Sequence, residues 1–436
     1  MKTNYNRVVQ LVFVITAVVL FALTSCNKRQ SSNTGTKDLE QIKTVKFGML
    51  PYADHCYAII GAEQGWFKEV GIDLQYEPIK VEEIVPSLKN HTRDVVSCPP
   101  GILFSSYDNA TNLCSFVFGD LFQGYALMAQ PNAGYKSYAD FVKEGLNPDE
   151  AIAATVGQLK SKVFAYPAET AIKPFIDLML QRGKLTPEDF RPLVLDDPLT
   201  VNAMRNKQAD FQVGGVPSRI TLQKEGFTPL LSSIDIAKLA RPSADSPELA
   251  SVMQNGWATT KDFFQNEHAS ILRLASVNYR IMKFMQADRK KALQIHMAYL
   301  SRITGQQFTE ADGEIIYDDL DPFVTFENQK PWFHSDDNPL FYKYVNGSIL
   351  KSFVDQRIYK NKPPTVEDVI FADDVYNELE KLQVESKDLF AKIEQSNIIQ
   401  LNQSVKEQYD RAKHFYEIYD FYDSARLAKD ILERSK

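Results

Sequence analysis

Residues 61–76, GAEQGWFKEVGIDLQY, decide how the chain is read. A helical pattern over residues 58–67 is closed by Gly71, and Ile72-Asp73-Leu74-Gln75-Tyr76 alternates apolar and polar side chains as a half-buried strand does. Working outward, residues 43–50 alternate as a strand that stops at Pro51. Residues 82–88 form a short helix, and Asp94-Val95-Val96 is a third strand running into Pro99-Pro100. Strand, helix, strand, helix, strand in this order implies a parallel sheet. Trp66-Phe67 then reads as the packing end of a helix.

The same progression returns downstream. Residues 163–166 run into Pro167, a helix follows to near Gly183, and residues 192–195 form a strand. A short helix over residues 199–204 and a strand over 210–213 complete it before Pro217. Pro51 and Pro167, Asn90 and Asn206, and Asp94 and Asp210 are each 116 residues apart (167 − 51, 206 − 90, 210 − 94). Three landmarks at one offset, inside one element order, indicate two similar α/β lobes facing each other across a cleft. Ligands of open α/β sheets sit beyond the carboxyl ends of the strands. Here those ends are residues 51–56, 97–103, 167–170 and 214–219.

A chain of 436 residues holds two or three units, and 44% hydrophobic content is ordinary for a globular protein. The net charge of −7 leaves no basic excess to neutralise phosphates, so nucleic acid is not an expected partner. At the N-terminus, Lys2 and Arg7 flank the start of an apolar run over residues 8–23, followed by Leu23-Thr24-Ser25-Cys26. This is a secretory signal over residues 1–26. Leu-x-Ser-Cys resembles the lipobox of bacterial lipoproteins, which implies that Cys26 carries the lipid and becomes the mature N-terminus. An uncleaved anchor is the alternative; both put the bulk of the chain outside the cytoplasm. The polar residues 27–41 serve as a tether.

With Cys26 assigned, Cys56, Cys98 and Cys114 remain, and an odd number leaves at least one thiol unpaired. A disulfide between Cys56 and Cys98, both near the expected cleft, is left open. No two histidines stand three to five residues apart, and no C-x-x-C, G-x-S-x-G, P-loop or G-x-G-x-x-G occurs. The expectation is a chain with no metal site and no cofactor that is not an enzyme of the common classes.

AIIGAEQGWFKEVGIDLQYEP (residues 58–78) resembles a segment near the mature start of the nitrate, sulfonate, taurine and thiamine-precursor binding proteins of ABC importers. SLKNHTRDVVSCPPGILF (87–104) is similar to their L-x-x-G-x-x-D-[VI]-x-x-x-P-P segment, with Asn90 where glycine is usual. QLKSKVFAYPAET (158–170) and LTVNAMRNKQADFQVGGVPSRITLQKEGF (199–227) are similar to the segments that open the second lobe and end at its cleft-facing loop. The resemblance spans roughly residues 43–370. It implies an α/β, two-lobe periplasmic-binding-protein fold of type II, without catalysis, that captures a small-molecule solute and delivers it to ABC permease subunits while lipid-anchored to a bacterial membrane. Lobe 1 is then expected over residues 42–130, lobe 2 over 131–230, and a return to lobe 1 with closing helices over 231–370.

Candidate ligand-binding residues follow from the loop positions. Tyr52 and His55 cover the start of the first helix, with Asp54 as its cap in the structural alternative. Cys98, Pro99 and Gly101 form the matching loop, stiff where proline sits and open to close approach at glycine. Asp120 and Phe122 precede the crossover. In lobe 2, Glu169 and Thr170 stand at a helix start, and Gly215 and Arg219 close the last loop. Glu169 opposes an anion and favours an amine or amino-heterocycle, whereas Arg219 suits a carboxylate or sulfonate. The aromatic residues nearby favour a planar, nitrogen-bearing solute such as a thiamine pyrimidine precursor; a sulfonate, nitrate or taurine-type anion is the alternative.

Asp318-Asp319-Leu320-Asp321 and Asp336-Asp337 read as solvated acidic faces, since the spaced calcium-loop pattern is absent. After Pro364, the 72 residues to the end (436 − 364) contain neither proline nor glycine. Ile398, Leu401, Val405, Tyr409, Ala412, Phe415 and Tyr419 follow helical spacing, giving an α-helical C-terminal extension over residues 371–436. It either packs back on the lobes or, in a sensory or structural lipoprotein, docks a partner.

Overall fold

The computed structural model describes residues 42–396, 399 and 402–434. The signal, Cys26, the tether, Ile398 and Leu401 lie outside the described residues. The described residues form ten strands: β1 (Lys43–Met49), β2 (Ile72–Pro78), β3 (Val95–Cys98), β4 (Leu113–Phe122), β5 (Ala126–Ala129), β6 (Val163–Tyr166), β7 (Arg191–Val194), β8 (Phe211–Gln212), β9 (Thr228–Ser232) and β10 (Met253–Thr260). They form two five-stranded sheets, β2-β1-β3-β10-β4 and β7-β6-β8-β5-β9. The orders correspond strand for strand. β1, β2 and β3 pair in parallel, as do β6, β7 and β8, whereas β10 and β5 run antiparallel to their neighbours. Each sheet is therefore mixed, because each accepts one strand whose chain arrives from the other lobe.

The duplication extends to backbone conformation. Asp94 accepts from Lys46 N–H at 2.8 Å and returns its own N–H to Lys46 O; Asp210 accepts from Val163 N–H at 2.9 Å and returns its own to Val163 O. One residue after Asn90 and Asn206, His91 and Lys207 both adopt the left-handed conformation with φ of 54°. The 116-residue offset therefore marks a repeated turn in which the aspartate side chain replaces a ladder partner.

The opening stretch folds as two short helices, Ala58–Glu63 and Trp66–Glu69, broken where Gly65 takes φ of 74°. Gly71, at φ of 79°, turns the chain into β2. Phe67 packs toward Trp257 at 6.3 Å between ring centroids, and Trp66 lies beneath the Arg280 guanidinium at 4.4 Å. Trp257 on β10 is fully buried and also contacts Phe47, Tyr57 and Phe116, so one indole joins β1, β4 and the first helix.

The chain leaves lobe 1 through residues 123–125 and re-enters it at β10, which pairs along the whole of β4. The free edge of β4 is covered by residues 369–371, where Ser115 N–H donates to Val369 O and Phe371 N–H to Ser115 O, both at 2.8 Å. The helices Ala372–Gln395, Gln403–Glu417 and Phe421–Glu433 follow and pack back on lobe 1. Tyr376 stacks on Phe333 at 4.6 Å, and Arg273 holds Asp423 through two hydrogen bonds in a buried ion pair. No helix of the described residues is long and apolar enough to cross a membrane. Asp423→Ala strips the buried Arg273 of that carboxylate and is expected to cost about 3–5 kcal/mol, read as a lower denaturant midpoint with unchanged slope.

Candidate functional site

The loops at the carboxyl ends of the strands enclose an interlobe cleft of about 1170 Å³. Lobe 1 contributes Pro51 and Tyr52 after β1 and Lys80, Glu82 and Glu83 after β2. Lobe 2 contributes Pro167, Glu169 and Thr170 after β6, Asp196 and Asp197 after β7, and Ser218 beyond β8. The Tyr52 hydroxyl donates to Glu169 Oε1 at 2.7 Å, and Ser105 Oγ lies 3.2 Å from Thr170 Oγ1, so polar contacts bridge the lobes at the cleft. Deeper, and sharing Tyr52 and Glu169, a recess of about 30 Å³ is lined by His55, Phe122, Tyr125 and Gly215.

The lining is strongly acidic. Five carboxylates face it against one ammonium, that of Lys80. Burial and then the Asp197 charge push Glu169 up to about 7, against the hydrogen bond from Tyr52. Burial also raises Asp197, although the Ser218 hydroxyl at 2.7 Å and the Gly215 N–H at 3.2 Å favour its ionised form. Asp197 thus sits at the start of the helix Val216–Lys224, where the helix dipole also favours a carboxylate.

No protein-family model and no curated protein matches the sequence. Among solved structures, the chain is similar to the periplasmic aliphatic sulphonate binding protein SsuA from Escherichia coli, with TM-score 0.53 and 12% identity over 77% of this chain and 99% of that one. The alkanesulfonate-binding protein SsuA from Xanthomonas axonopodis pv. citri, bound to MOPS, gives TM-score 0.51 and 12% identity over 76% and 99%. The fold is that of the periplasmic binding proteins. It is not confined to binding: the desulfurization enzyme DSZB is similar at TM-score 0.51 and 9% identity, over 77% of this chain and 98% of that one.

Within this periplasmic-binding-protein fold the expected site residues divide. Tyr52, Glu169 and Thr170 line the cleft; Asp54, His55, Pro99, Phe122 and Gly215 line the recess beneath it. Cys98, Gly101, Asp120 and Arg219 line neither. Cys98 is fully buried with its thiol on Pro99 O, and Gly101 packs near Ile349 and Phe353. Arg219 turns inward and donates to Gly124 O at 2.9 Å, so its charge serves the crossover. Asp54 does not cap the first helix but accepts from Asn255 Nδ2 at 2.7 Å. The helix expected at Glu169 starts only at Lys173, which leaves Glu169 and Thr170 in a loop. Lys80, Glu82, Glu83, Asp196 and Asp197 were not among the expected residues. Their signal is the strand-to-helix junction after the second strand of each lobe.

The three remaining thiols are buried and free, so the Cys56–Cys98 disulfide does not form. Cys56 Sγ lies 3.3 Å from His296 Nε2, whose Nδ1 is 2.9 Å from the Tyr317 hydroxyl. Burial pushes the thiol well up and His296 down to about 3, so both are neutral and this contact is interior packing.

Glu169 also makes the cleft pH-sensitive. Its carboxyl stays protonated to about 7 when folded but releases its proton near 4.5 when unfolded, so unfolding releases a proton in that window and stability falls as pH rises through it. Glu169→Gln is expected to flatten this part of the pH profile and to raise the unfolding temperature at pH 8 relative to the parent. Thermal unfolding of both proteins from pH 4.5 to 8 measures the difference.

Proposed function

We propose that this chain is the solute-binding component of an ABC importer, and that its solute is a planar, cationic or amine-bearing nitrogen compound of the thiamine-pyrimidine type. Capture takes place between the lobes, delivery is to permease subunits, and a lipid on Cys26 tethers the chain to the membrane. Glu169 carries the reading: it lies in the cleft at the bridge between the lobes, while Arg219, the group suited to an anion, is held on a backbone carbonyl away from the cleft. Four further carboxylates on the lining oppose a sulfonate or nitrate, and Tyr52, Phe122 and Tyr125 supply ring faces and edges for a flat solute.

An ammonium or protonated ring held on Glu169 binds its ionised form, so binding displaces the proton that Glu169 otherwise keeps to about 7. Affinity is expected to fall about tenfold from pH 8 to pH 6, and Glu169→Gln to abolish this dependence. In a thermal-shift and calorimetric screen, aminopyrimidines raise the unfolding temperature while alkanesulfonates and nitrate do not. A shift with the anions alone would overturn the proposal.

A further inference from the structure

Below the recess, where the chain passes between the lobes, three carboxylates meet in the interior. Asp54 follows β1, Asp120 lies on β4, and Asp321 ends the π-helical turn Ile316–Leu320. They are 3%, 0% and 0% exposed, and one oxygen of each lies within 4.8 Å of the others. Asp321, expected on a solvated acidic face, is thus interior, while its neighbour Asp318 remains outside and pairs with Arg289.

Five of the six carboxylate oxygens have no hydrogen-bond partner among the described residues: Asp54 Oδ1 and both oxygens of Asp120 and of Asp321. A second, uncharged group points the same way. Asn255 faces Asp120 directly across the β4–β10 ladder, and its amide reaches into the cluster, donating from Nδ2 to Asp54 Oδ2. Its carbonyl Oδ1 is fully buried and also has no partner among the described residues. Buried acceptors in such number are exceptional, and stacked anions in a dry interior repel strongly. A cation satisfies both conditions at once.

We propose that Asp54, Asp120, Asp321 and the Asn255 carbonyl hold a hard divalent cation of calcium size at the root of the hinge. The donors are all oxygens, which selects a hard ion over zinc or copper. The three carboxylates, within 4.8 Å of one another, are close enough to share one ion, and calcium accepts an irregular set of oxygens where magnesium demands a near-octahedral shell and keeps its waters. His55 Nε2, 3.2 Å from Asp54 Oδ2, orients that carboxylate from outside the cluster. Such an ion ties the loop after β1 to both crossing strands and to the segment at Asp321. It lies beside the recess, which Asp54 also lines, and does not depend on the solute's identity.

The full-length chain, stripped with a chelator, is titrated with CaCl₂ up to about 1–5 mM at pH 7.5, with thermal unfolding and calorimetry as readouts. One calcium per chain and a rise in unfolding temperature of roughly 2–4 °C are expected, with a smaller rise for MgCl₂. Asp120→Asn and Asp321→Asn each weaken calcium binding at least tenfold, while both chelated variants unfold at or above the temperature of the chelated parent, because a buried repulsion is removed. No calcium-dependent shift in the parent and no bound calcium by elemental mass spectrometry would overturn the proposal. So would a calcium shift that survives unchanged in both variants. If neither variant folds, the parent titration and its stoichiometry decide.

Discussion

The antiparallel pairing of β4 with β10 is the constraint on which the molecule depends. These are the strands that carry the chain out of lobe 1 and back into it, and they pair from Leu113 and Thr260 at one end to Phe122 and Met253 at the other. Because they are zipped together, both crossing segments leave lobe 1 at one place and the lobes share one hinge region. The same pairing puts Trp257 under β1, β4 and the first helix, and sets Asn255 opposite Asp120. The C-terminal helices reinforce it from outside, since the segment that leads into them closes the exposed edge of β4.

Around that hinge the two lobes present equivalent loops to each other. The junction after β2 brings Glu82 and Glu83, and the junction after β7 brings Asp196 and Asp197, so the duplication places like charges on facing rims. Such an arrangement is unfavourable without a cation or protons. Glu169 relieves part of the strain by keeping its proton to about 7 and accepting the Tyr52 hydroxyl. Structures of similar fold include sulfonate-binding proteins and an enzyme, so the scaffold does not choose the ligand; the side chains on these rims do.

The two-lobe architecture was legible because its signals are local. Pro51 and Pro167 stop strands, Gly65 and Gly71 adopt left-handed turns, and Asp94 and Asp210 satisfy backbone groups a strand away, all written in single residue types at fixed spacing. Tyr52 and Glu169 were legible as cleft residues for the same reason, standing one and two residues after those strand-ending prolines. Arg219 was not, because four residues beyond Gly215 a helix has turned its side chain from the cleft toward the crossover. Asp54 read as a cleft residue or, in the structural alternative, a helix cap, and Asp321 as a surface acid. What buries each is a strand or turn remote in sequence, and local pattern carries no information about such a neighbour.

The sequence by itself determined the elements, their order, their repetition and the loops that had to face a cleft, since those follow from periodicity, proline, glycine and capping within a few residues. Only the tertiary structure decided which charges meet. The electrostatic character of the cleft comes from five carboxylates lying between positions 82 and 197, and that of the hinge from aspartates at 54, 120 and 321. An isolated carboxylate in sequence is a solvated anion. The same group becomes a proton holder or a candidate metal ligand only when folding removes its water and sets another charge beside it.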